Sequence, residues 1–161
     1  MLRGFKLPLP TDDCERKIVS DVKSFGWHVI NILPDESGPQ YSFSVGLYRK
    51  FDHSELLVMG LSHPVGHQLI NSAANRIAAG KLFRPLDRTD ELAEGFTCGF
   101  LPISVLRYKE YLGCAIWFYS SLKHPFPALQ LVWPDKGGRL PWEKNYDRRF
   151  FGLQPLLNGE T

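Results

Sequence analysis

His63 and His67 lie four residues apart at the opening of an apolar-periodic stretch, and His53 stands upstream of them. A spacing of four puts two imidazoles on one face of a helix, and three nitrogen ligands with an open fourth position are what a catalytic zinc asks of a protein. The pair encloses no HExxH arrangement, and Pro64 follows His63 directly, where a helix would begin. The expectation is therefore capping or surface histidines, and no metal. Cys14, Cys98 and Cys114 form no CxxC pair and read as reduced, mostly buried thiols. Asp87, Asp90, Glu91 and Glu94 gather in one connection and read as a solvated face rather than as an acid/base pair. Neither GxGxxG nor GxxxxGK[ST] occurs, and Gly137-Gly138 leads into Arg139 and a proline rather than a helix. No GxSxG elbow is present. No cofactor is expected from these patterns.

Between Lys136 and Arg149, five basic residues interleave with Trp142 and Tyr146. Basic and aromatic residues together suit single-stranded nucleic acid or an acidic partner. Asp135, Glu143 and Asp147 dilute the charge, so an ordinary solvated surface ranks first, a protein partner second and nucleic acid last. Trp142, Tyr146, Arg148 and Arg149 are the types that dominate interface hot spots, and they make the candidate partner surface.

These residues sit on a chain of 161, 43% hydrophobic and 13% aromatic, with a formal charge of +2. That length suits one domain able to bury a core without disulfide or metal, and the charge does not call for nucleic acid or an anionic membrane. No apolar stretch approaches the roughly 20 residues that span a bilayer, and Met1 to Pro10 lacks the apolar core of a secretory signal. A cytoplasmic location is expected.

A first helix is predicted from Asp12 to Phe25, with Asp12 and Glu15 at capping-box spacing, Ile18, Val22 and Phe25 in one apolar stripe, and Gly26 as the stop. A strand follows at Trp27 to Leu33, then a turn over 34–39. From Tyr41 to Leu47, large residues alternate with Ser42, Ser44 and Gly46; the small face of that strand lets another backbone or a ligand come close. A strand at Leu56 to Leu61 leads into a helix from Ser62 to Ala79, with Val65, Leu69, Ile70, Ala73 and Ile77 inward. Lys81 to Gly95 reads as a charged connection with a short strand at Lys81 to Arg84. Further strands are predicted at Phe96 to Ile103, Ala115 to Ser120 and Leu129 to Trp133, with a short helix from Ser104 to Leu112. Trp133, inside an apolar strand, is expected to be buried. The mixture lacks regular βαβ alternation, so the fold class is α+β: a single domain with a mainly antiparallel sheet or small barrel and two to three flanking helices.

Three stretches together resemble a known family. They are Gly26-Trp27-His28-Val29, the run from Tyr41 to Leu47 continuing through Asp52-His53-Ser54-Glu55-Leu56 to Gly60-Leu61, and Leu129-Gln130-Leu131-Val132-Trp133-Pro134-Asp135 with Pro141-Trp142. Their order and spacing are similar to the bacterial domain of unknown function 4262 family. Two departures show: Asp52 and Ser54 replace the glycine and proline of a Gly-His-Pro-Glu-Leu run, and Glu143-Lys144-Asn145-Tyr146 replaces an Asp-Pro-Gly continuation. The resemblance covers about residues 26–142, leaving an N-terminal extension over 1–10 and an irregular tail over 143–161, and it implies a bacterial, cytoplasmic protein without supplying an activity.

If the motif strands neighbour each other, Ser42, Ser44, His53, Glu55, Gln130, Trp133 and Asp135 line one candidate cleft. The alternative is that Gln130 and Asp135 satisfy turn backbone while Trp133 fills the core. The leading functional expectation is a non-catalytic protein-binding module, such as an immunity or partner-masking protein. The other is a flavin- or small-ligand-binding enzyme of split-barrel kind, with a flat ring laid on the small-residue face. The expected partner is a protein, with a small ligand second, and no membrane.

Overall fold

The computed structural model describes residues 2–159. Helix α1, Asp13–Phe25, is started by Asp12, whose carboxylate accepts the Glu15 N–H at 2.7 Å. Glu15 reaches back to the Thr11 N–H and hydroxyl rather than to Asp12. Gly26 ends the helix at φ 100°, a left-handed conformation that L side chains rarely adopt. The chain then reverses into β1, His28–Ile32, and returns as β2, Tyr41–Val45. A short helix α2, Leu47–Phe51, leads to β3, Glu55–Met59, and then to the long helix α3, His63–Ala78.

After α3 come β4, Arg88–Ala93, and β5, Phe96–Pro102. A 3-10 turn at Val105–Arg107 runs into α4, Tyr108–Tyr111, followed by α5, Gly113–Phe118, and β6, Ala128–Val132. Among the described residues the six strands make one open sheet in the order β1-β2-β3-β6-β5-β4. Every neighbouring pair is antiparallel except β3 with β6, so the sheet is mainly antiparallel, and it does not close into a barrel. The fold is α+β, as the sequence leads one to expect.

Strand alternation sends side chains to two faces. Phe43, Val45, Leu57 and Met59 meet Ile18 and Val22 of α1 and Ala115 and Phe118 of α5 on one face. Leu56, Val58, Leu129 and Leu131 meet Leu69, Ile70, Ala73 and Ile77 of α3 on the other. The small-residue face of β2 is where α3 comes closest: a Cβ on Gly66 would stand 3.2 Å from the Ser42 hydroxyl. The backbone that this face admits is thus a helix of the same chain.

Four expectations need correcting. The run predicted as a strand at Ala115 to Ser120 is helix α5, because Leu112, Ala115, Phe118 and Tyr119 enter the core at helical spacing and a short apolar run fits either period. The connection from Lys81 to Gly95 holds its strand at Arg88–Ala93, not at Lys81 to Arg84. A register shift between Thr89 and Ala93 breaks its alternation, so only Thr89 and Leu92 are buried. Leu47 opens α2 instead of ending β2. Phe25 and Val65, read as inward, are exposed at the ends of their helices, and Phe25 is 70% accessible.

Candidate functional site

Of the residues proposed to share a cleft, Ser44 and Glu55 are brought together and the others are placed apart from them, each engaged by internal hydrogen bonds. Glu55, fully buried, accepts the Ser44 hydroxyl at 2.7 Å and the backbone N–H groups of Gly46, Leu47 and Tyr48 at 2.9, 3.2 and 3.2 Å, and it takes a further hydrogen bond from the Tyr119 hydroxyl. Its carboxylate therefore starts α2 and ties it to α5. Burial pushes the Glu55 carboxyl above its usual range, and these donors pull back part of that rise; burial and the neighbouring carboxylate push the Tyr119 hydroxyl far up.

His53 is buried elsewhere. Its Nδ1 donates to the Ser54 carbonyl at 2.8 Å and its Nε2 accepts the Phe83 N–H at 3.0 Å, a neutral ring whose pKa burial holds below the ordinary value. Ser42 donates to Asn31 Oδ1 at 2.7 Å. His63 donates from Nε2 to the Ile32 carbonyl, and His67 accepts at Nδ1 from Asn31, so the three histidines have three different partners. Among the described residues, no three His, Cys, Asp or Glu side chains converge as a metal site.

The QLVWPD segment fastens the C-terminal tail. Gln130 donates to the Pro155 carbonyl and accepts the Leu157 N–H, both at 2.9 Å. The Trp133 backbone pairs with the Gln154 amide, and its indole donates to the Met59 carbonyl at 2.7 Å. Asp135 accepts from Gly137, Arg139 and Asp147 backbone N–H groups. Trp133 is half-buried, lying beyond the last residue of β6 with its ring against Phe150. On the candidate partner surface Tyr146 is buried, Trp142 covers the Cα of Gly99, Arg148 lies over the Phe151 ring, and the exposed Arg149 pairs with Asp147.

A concavity of about 560 Å³ lies at the edge of β1 that has no neighbouring strand among the described residues. Trp27, His28 and Val29 form its floor, Lys17, Asp21 and Phe25 of α1 one wall, and His67, Asn71 and Asn75 of α3 the other. The two helices flank β1 because they pack on opposite faces of the sheet. The wall residues hold one another in place: Lys17 Nζ donates to Asp21 at 3.0 Å, and His28 Nδ1 donates to the same carboxylate at 2.7 Å. Partial burial opposes ionisation of Asp21, but those bonds outweigh it and hold the carboxyl below its ordinary value. The Trp27 indole donates to Asn71 Oδ1 at 2.9 Å.

Sequence reasoning missed this site apart from His67. One signal was available: an aspartate on the last turns of a helix, a glycine stop, and a histidine opening the next strand bring Asp21 and His28 together across a tight reversal.

An open mixed sheet sandwiched between helices, with one strand edge left in a groove, defines a compact α+β domain. The chain matches the Domain of unknown function (DUF4262) family over residues 21–147 and belongs to that family. No curated protein matches it, and no solved structure does. No helix among the described residues is long and apolar enough to cross a membrane.

Proposed function

We propose that this protein is a non-catalytic protein-binding module of bacterial cytoplasm, of the kind that masks a partner or neutralises a toxin. The observation that supports this reading is the β1-edge groove, where an aromatic side chain 70% accessible, Phe25, stands beside Trp27 and a strand edge that no described strand pairs with. Exposed aromatics next to open backbone donors and acceptors are what protein partners use. The flat-ring alternative gains no support, because α3 covers the small-residue face of β2 on which it depended. Affinity capture from the host's own lysate tests the proposal. Wild type should retain a stoichiometric protein partner that Phe25→Asp loses, and the absence of any partner from wild type would overturn the reading.

A further inference from the structure

We infer that β1 takes up an extended, acidic segment of a partner protein as an added strand; the inference rests on the protein-binding reading above. The two edges of the sheet are treated differently. β4 carries exposed Arg88, Asp90 and Glu91, its register is broken, and Arg76 of α3 donates to the Glu91 carbonyl on it. Charge, irregularity and cover are the devices that keep an edge from pairing. β1 pairs with β2 in unbroken register from His28 to Ile32, bears no lysine, arginine or carboxylate, and has no strand on its outer side among the described residues. His63 caps only its last carbonyl, at Ile32. An antiparallel strand with one neighbour turns alternate amides and carbonyls outward, the template that strand addition uses.

The walls select the occupant. Helices α1 and α3 line the two sides of the groove at the His28 and Val29 end of the edge; an extended chain brings no helix of its own, whereas a second copy would bring its α1 and α3 against these walls. The α3 wall presents hydrogen-bond donors. Ser42 donates to Asn31 Oδ1, which turns Asn31 Nδ2 toward His67 Nδ1 and places the proton of a neutral His67 on Nε2. Trp27 occupies Asn71 Oδ1, which leaves the Asn71 NH₂ group for a ligand. Neither His67 Nε2 nor Asn71 Nδ2 has a partner among the described residues, and both residues line the groove.

Two side-chain donors on one wall favour an acceptor with two oxygens, and among side chains the carboxylate is the strongest of these. The opposite wall carries Asp21, its carboxylate already paired with Lys17 and His28, and ends in the Phe25 ring; successive side chains of an added strand face opposite walls, so acidic ones are turned away from Asp21. The occupant is therefore a segment in which acidic residues, facing α3, alternate with apolar ones, facing Phe25.

A phage-displayed library of random linear peptides, panned on the full chain, tests this. Enriched peptides should alternate acidic and apolar residues and protect the amides of β1 from hydrogen exchange. N-methylation of an enriched peptide should weaken binding about tenfold at every second residue and leave the residues between nearly unaffected. Asn71→Asp keeps the acceptor for Trp27 and replaces the donor with a carboxylate, so it should weaken acidic peptides about tenfold while the thermal midpoint stays put. No enriched peptide, protection away from β1, or N-methyl effects without alternation would overturn strand addition, as would a concentration-dependent dimer that itself protects β1. In each of those cases a partner still captured from lysate leaves the protein-binding reading standing, and loss of that partner removes both.

Discussion

The environment of Glu55 and the groove at β1 hold similar chemistry in opposite circumstances. Around Glu55, a carboxylate, two hydroxyls and three backbone donors lie within hydrogen-bond reach, yet Glu55 and Ser44 are wholly buried and every acceptor position is filled from within. At the groove, Asp21, His28, His67 and Asn71 are also linked into small networks, but each network leaves one side on solvent. A polar constellation inside a fold is most often spent on the fold, because an unpaired buried donor costs about 1–3 kcal/mol. One at a strand edge has capacity left over. The contrast predicts that substitutions in the first region change stability and those in the second change binding.

The largest effect should come from Glu55→Ala. It strips the acceptor from the first N–H groups of α2, from Ser44 and from Tyr119, at a position closed to solvent. We expect a loss of about 3–5 kcal/mol in urea denaturation. A loss under about 1 kcal/mol would mean that the region rehydrates easily, and the comparison would collapse.

Trp133→Ala comes next. The ring lies against Phe150 and its indole bonds the Met59 carbonyl, but it is only half-buried, which moves the expected cost to about 2–3 kcal/mol, below that of a fully buried tryptophan. The tail should loosen with it, read as faster hydrogen exchange at the Leu157 amide, which Gln130 holds from the same segment.

How much of this was legible in the sequence divides along the same line. The fold class, α1 with its Asp12 cap and Gly26 stop, β1 to β3, α3, and the family were readable, because capping residues and period-two alternation act locally. Helix α5 was not, since six residues of apolar sequence satisfy helix and strand alike and only the pocket beside Phe126 and Tyr108 decides between them. Nor was β4, whose register shift hides its inward residues. Ser42, Ser44, His53, Glu55, Gln130, Trp133 and Asp135 were legible as special, but not that only Ser44 and Glu55 of them bond each other: where each side chain's partner lies depends on tertiary pairing that no spacing encodes, such as Phe83 for His53 and Leu157 for Gln130. Phe25 misled, because its place in the apolar stripe of α1 says nothing about whether the last turn of the helix overhangs the sheet edge.

His53 offers a smaller and pH-dependent test. Burial holds its pKa below the ordinary value near 6.5, and the neutral ring is the form that accepts the Phe83 N–H. The unfolded chain thus binds a proton that the folded one refuses. Stability should be fully present above about pH 6.5 and decline as the pH falls below it. His53→Gln, which can still accept from Phe83, should remove that part of the slope. Denaturant midpoints at pH 7.5 and 5.5 decide the matter, and identical declines in the two proteins would show that His53 titrates as it does in the unfolded chain.

The smallest effect on stability should come from the residue on which the binding argument leans most. Phe25 ends α1 with 70% of its surface accessible, and the helix is held by Ile18, Val19 and Val22 behind it and by the Gly26 stop after it. Replacing the ring with a carboxylate removes little buried area but sets a negative charge at the C-terminal end of α1, four residues after Asp21, so Phe25→Asp should cost no more than about 1 kcal/mol of denaturation free energy. The same change puts a negative charge at the mouth of a groove inferred to receive acidic segments, and it removes the apolar surface on which alternate side chains would rest. Binding of a groove-directed peptide should therefore fall by tenfold or more, about 1.4 kcal/mol, in titration calorimetry. A variant that binds as well as wild type would place the partner's contact elsewhere, with the surface around Trp142, Arg148 and Arg149 as the next to test. A variant that unfolds would mean that the ring supports α1 after all, and the division between a region spent on the fold and a region free to bind would not run along the sheet edge.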